Sequence, residues 1–76
     1  TTLSFYLPLE GEVELRIYDL LGRPVRTLVE TRMVQGYHTL SWEGRDGMER
    51  PAAAGLYLAE LRIDDFRQVR KLLLLK

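Results

Sequence analysis

Cysteine is absent from the 76 residues, so neither a disulfide nor a thiolate metal site is available. A domain of this length buries only about 60% of the surface its unfolded chain exposes, and small domains often need such a staple. Stability must come from packing, and an apolar fraction of 46% makes that feasible. Asparagine is absent too, which excludes N-glycosylation. No charge of one sign prevails, since 11 basic residues meet 11 acidic ones. That balance argues against a nucleic-acid domain and against an electrostatic membrane anchor. No apolar run exceeds Leu72 to Leu75, far too short to cross a bilayer. The chain starts at Thr1 without Met, and its first residues do not read as a signal peptide. We expect a single domain cut from a longer protein whose targeting signal lies elsewhere.

What is present is a series of short alternating segments separated by turn residues. Thr2 to Leu7 sets Leu3, Phe5 and Leu7 against Ser4 and Tyr6, the mark of a half-buried strand. Glu12 to Tyr18 sets Val13, Leu15 and Ile17 against Glu12, Glu14 and Arg16. Asp19 to Pro24 reads as a turn in which Gly22 suits a positive φ. In the strand Val25 to Glu30, Val25 and Leu28 break period two, which predicts a bulge. Tyr37 to Glu43, Leu56 to Ile63 and Phe66 to Leu75 complete the set, with Gly44 to Gly55 as the longest loop and Asp64-Asp65 as a tight turn. No segment has sustained helical periodicity. The pattern predicts an all-β, Ig-like antiparallel β-sandwich of about seven short strands.

Few residues offer chemistry. His38 is the only histidine, and it shares parity with Leu40 and Trp42, so it reads as a packed or rim side chain. No Ser or Cys motif matches it to a triad. Glu43, Asp46 and Glu49 gather oxygens in the long loop, but without the spacing of a calcium-binding hand. A paired-carboxylate glycosidase needs acids across a cleft, which a thin sandwich does not offer. The expectation is therefore no enzyme, no cofactor and no metal. Tyr37, Trp42 and Tyr57 suggest a sugar platform. Trp42 and Tyr57 lie on inward parity and read as core, while Tyr37 points outward and stays open. Glu12, Glu14, Arg16, Glu60 and Arg62 read as cross-strand pairs on solvent faces.

The tail is unusual. Lys71-Leu72-Leu73-Leu74-Leu75-Lys76 places four leucines in succession, where a strand open on one face would alternate. The run implies cover on both faces, or a face kept for a partner.

Several spacings together resemble the C-terminal sorting domain of type IX secretion cargo (type A). Thr2-Leu3-Ser4-Phe5 through Leu7-Pro8 is similar to its first strand, and Val13 to Arg23 followed by Val25 to its second strand and turn. Gly36 to Asp46 resembles its middle block, Gly55-Leu56-Tyr57 its Gly-any-Tyr motif, and Lys71 to Lys76 its terminal basic and apolar motif. The similarity runs over nearly the whole chain. The same pattern is shared with the Ig-like domain of the flagellar hook-capping protein.

What the resemblance implies is a non-catalytic bacterial domain, residues 1–76, at the end of a larger cargo protein to which it is covalently fused. It would direct export through the periplasm to the cell surface or beyond. The implied partners are the outer-membrane translocon and a sortase-like peptidase. The implied recognition residues are Gly55, Tyr57, Lys71, Leu72, Leu73, Leu74, Leu75 and Lys76. The alternatives are a structural module of the hook-cap type and a carbohydrate-binding sandwich appended to a glycoside hydrolase.

Overall fold

The computed structural model describes residues 1–75, and Lys76 lies outside them. The strands are β1 (Thr2–Leu7), β2 (Gly11–Tyr18), β3 (Pro24–Met33), β4 (Gly36–Ser41), β5 (Gly55–Ile63) and β6 (Phe66–Leu74). They form two antiparallel sheets, one ordered β3-β2-β5-β6 and one β1-β4, and the chain is an all-β, Ig-like sandwich.

Strict alternation makes this layering possible. Leu3, Phe5 and Leu7 of β1 face inward, as do Val13, Leu15 and Ile17 of β2 and Tyr57, Ala59 and Leu61 of β5. Leu72 and Leu74 of β6 join them, and Trp42, just past β4, fills the largest share of the interior. Each sheet thus buries one apolar face against the other.

Six strands are found among the described residues, not about seven. The long loop after β4 adds only an isolated bridge between Arg45 and Pro51. Gly44 (φ 77) and Glu49 (φ 64) take the left-handed conformation there, which turns the backbone out of any extended path. β4 also stops at Ser41, short of the predicted Glu43. Trp42 still prolongs the ladder: its N–H donates to the Thr1 carbonyl (2.7 Å), and its carbonyl accepts from the Thr1 amine (3.0 Å).

β3 carries two irregularities. Leu15 pairs with Val29 and Arg16 with Thr27, which leaves Leu28 over; Ile17 pairs with Arg26 and Tyr18 with Pro24, which leaves Val25 over. These are the two residues whose parity was broken in the sequence. Each bulge carries an apolar side chain back onto the core, where Val25 and Leu28 pack half-buried.

Candidate functional site

The tail is built into an edge. β6 pairs with β5 on one side only, and the register sets Gly55 opposite Leu74, Leu56 opposite Leu73 and Tyr57 opposite Leu72. Two motifs far apart in sequence therefore meet on one hairpin. The leucine run does not have cover on both faces. Leu72 and Leu74 are buried, whereas Leu73 and Leu75 are 53% and 76% exposed. The run alternates like any one-sided strand, because β6 lies over the core on one face only.

Of the predicted recognition residues, Tyr57, Leu72 and Leu74 thus point into the core. Lys71, Leu73 and Leu75 point out, and Gly55 is half-buried at the start of β5 with φ 145. Leu56, outside the set that the resemblance implies, stands beside Leu73 at 47% exposure. Lys71 makes no ion pair among the described residues, and Lys76 lies outside them. The result is an outward strip of Leu56, Leu73 and Lys71, continued by Leu75.

Glu60 and Arg62 of β5 and Glu14 and Arg16 of β2 occupy the neighbouring outer face. The register places Arg16 opposite Glu60 and Glu14 opposite Arg62. The close contacts run differently from the expected cross-strand pairs. Arg16 reaches Glu14 (2.9 Å) and Arg62 reaches Glu60 (3.4 Å) along their own strands, whereas Arg67 crosses from β6 to Glu60 (2.7 Å) and Glu12 keeps a cross-strand pair with Arg32 of β3 (3.9 Å). Residues two apart share a face, so the shorter reach wins. Such partly exposed surface pairs contribute at most about 1 kcal/mol each.

His38 stacks on Phe5 with centroids 5.5 Å apart, and its Nε2 donates to the Val34 carbonyl (2.7 Å). Among the described residues no side-chain oxygen orients its other ring nitrogen. Trp42 and Tyr57 meet edge to face at 4.9 Å in the core. Trp42 Nε1 donates to the Arg45 carbonyl (3.0 Å), and the Tyr57 hydroxyl donates to the Ala53 carbonyl, which pins the alanine-rich loop.

The loop acids have structural partners. Asp46 Oδ1 accepts from the backbone N–H groups of Met48 (2.9 Å) and Arg50 (3.0 Å), and Oδ2 accepts from Arg50 Nε (3.0 Å). Asp19 repeats the arrangement with Leu21 (2.9 Å), Arg23 (2.9 Å) and Arg23 Nε (2.8 Å). Hydrogen bonds stabilise the carboxylate form, foremost those from the Arg50 and Arg23 backbone N–H groups, so both carboxyls are held below their ordinary value. Glu49 pairs with Arg26 (2.9 Å). Asp19–Pro24 and Asp46–Pro51 are thus two copies of one loop, with Asp first and Arg-Pro last.

In each copy the fourth position is left-handed, filled by Gly22 (φ 82) and Glu49 (φ 64). Gly22→Ala is expected to cost about 1–2 kcal/mol through backbone strain alone, since an added Cβ meets nothing within 4 Å. Gly47→Ala, at the second position, should stay within about 0.5 kcal/mol of the parent. Urea unfolding of the two variants checks this, and equal midpoints would refute it.

No family model matches the chain, and no curated protein does. Among solved structures, FlgD from P. aeruginosa superposes with a TM-score of 0.68 and 22% identity over 95% of this chain. The chain spans 58% of the length of that FlgD chain. At that identity the likeness is one of fold. The chain therefore shares with FlgD an Ig-like antiparallel β-sandwich architecture.

Proposed function

We propose that this chain is a non-catalytic module of a larger exported protein, and that it directs type IX secretion and cell-surface attachment of its cargo. The observation that carries this reading is the β5–β6 register. It gathers the Gly-any-Tyr motif and the terminal leucines on one edge, with Leu56, Leu73 and Lys71 outward. An exposed apolar strip beside an unpaired strand edge is a surface another protein can read. In this reading the outer-membrane translocon engages that strip, a sortase-like peptidase later removes the domain, and the cargo supplies any chemistry. The zero net charge gives nucleic acid no hold.

The burial pattern dictates the test. Deleting the tail would remove Leu72 and Leu74 from the core and confuse recognition with unfolding. The informative variant is Lys71→Glu with Leu73→Ser, both on exposed positions. Fused to a reporter in a host with the type IX machinery, it is expected to abolish surface delivery while keeping the parent's urea midpoint. Undiminished delivery by that folded variant would sink the reading.

A second reading has its own support. The fold match to FlgD, a flagellar hook-capping protein, favours a structural module that helps scaffold assembly. The reporter would then stay inside the cell, and the full-length parent would co-purify with flagellar hooks.

A further inference from the structure

The two sheets present contrasting outer faces. That of the four-stranded sheet carries Glu14, Arg16, Glu60, Arg62 and Arg67, knitted into ion pairs. That of the two-stranded sheet consists of Thr2, Ser4 and Tyr6 from β1 and Tyr37, Thr39 and Ser41 from β4. All are exposed, every one carries a hydroxyl, and none carries a charge, in a chain that is 29% charged. The register arranges them as rungs: Thr2 with Ser41, Ser4 with Thr39, and Tyr6 with Tyr37.

The rungs differ in what they offer. Ser4 Oγ and Thr39 Oγ1 lie 3.3 Å apart and share one hydrogen bond. The Tyr6 and Tyr37 rings stand 4.9 Å apart, tilted by 55°, and are 49% and 85% exposed. A side chain so open gains little from packing, and a face selected only for solubility would carry charges like those at the centre of the opposite sheet. Tyrosine pairs an apolar ring with a polar tip and stacks at low conformational cost. Hydroxyls donate and accept alike, which suits a ligand made of hydroxyls. The face offers no guanidinium fork to a phosphate or carboxylate and no carboxylate to a cation. The nearby Arg70 guanidinium donates to the Ser4 backbone carbonyl (3.2 Å). From strand geometry the strip is about 13 Å long and two strands wide, the footprint of one short oligosaccharide lying along β1 and β4.

We propose that this hydroxyl-and-tyrosine face is a binding platform for a neutral polysaccharide. Tyr6 and Tyr37 stack on the apolar side of a sugar ring at one end, and the Ser and Thr rungs hydrogen-bond along the chain. The uncharged surface complements an uncharged ligand. The platform is on the opposite sheet from the Lys71 strip, so it stands or falls independently of the secretion reading.

Affinity electrophoresis of the 76-residue chain tests it, in native gels containing laminarin, xylan, galactomannan or hydroxyethyl cellulose, with alginate as the anionic control. Retardation is expected in at least one neutral gel and not in alginate. Tyr37→Ala should weaken it about tenfold, the order of one lost aromatic stacking contact. Leu73→Ser, on the other sheet, should leave it unchanged. Because Tyr37 is so exposed, its truncation leaves the core intact, which the near-ultraviolet signal of Trp42 verifies. Lack of retardation in every neutral gel, or retardation that survives Tyr37→Ala, would overturn the proposal. So would stronger retardation in alginate, or self-association in glycan-free buffer that Tyr37→Ala abolishes.

Discussion

Trp42→Ala is expected to remove most of the chain's folding stability. Trp42 is the largest of the fully buried side chains, at 1% exposure. Truncating a buried Trp costs about 3–5 kcal/mol, and a domain this small has on the order of 5 kcal/mol to lose. The indole also anchors both ends of its surroundings. Its Nε1–H holds the Arg45 carbonyl (3.0 Å), its ring meets Tyr57 at 4.9 Å, and its backbone clasps Thr1. Trp42→Phe separates these roles, since it keeps most of the packing and loses the indole hydrogen bond, for about 1–3 kcal/mol. Far-ultraviolet circular dichroism through a urea titration gives both results. A cooperative Trp42→Ala transition near the parent's midpoint would show that the core does not depend on the indole.

Leu74→Ala should cost about 2–5 kcal/mol, whereas Leu73→Ala, one residue away, should cost less than about 0.5 kcal/mol. Leu74 is 6% exposed and Leu73 is 53% exposed. Leu74 also packs closely against Gly44. A Cβ on Gly44 would come within 3.0 Å of Leu74 Cδ1, and Gly44 holds φ 77. The tail and the long loop are therefore fitted to each other. Paired urea curves decide the matter, and equal costs would contradict the alternation seen in β6.

Much of this was legible residue by residue. Leu3, Phe5 and Leu7 mark β1 because period-two burial leaves its trace in the sequence. Val25 and Leu28 announce the bulges of β3 because a bulge shifts parity, and parity can be read off a chain. Trp42 and Tyr57 take the core for the same reason. The leucine tail could not be read that way, since four identical residues carry no parity. Which of them turn inward is fixed by pairing with β5, a long-range fact. Tyr6 and Tyr37 are also joined only by register. Glu49 gives no compositional sign of its left-handed backbone, because the Asp46 and Arg50 hydrogen bonds impose it. The Asp19–Pro24 and Asp46–Pro51 loops share only Asp, Arg and Pro in sequence, and it is their common hydrogen-bond pattern that makes them one motif.

The pairing of β1 with β4 also has a consequence for time. β5 and β6 join through a two-residue turn, and β2 and β3 through a short loop, so each hairpin can form locally. Leu3 and Leu40, by contrast, are register partners with the whole β2–β3 hairpin between them. Closing that loop costs chain entropy before any contact repays it. The two-stranded sheet therefore closes after the local hairpins, as does the β2–β5 seam, whose partners lie further apart still. Until it closes, Trp42 lacks its cover, the tyrosine rung does not exist, and the N-terminal strand remains an extended, unpaired segment.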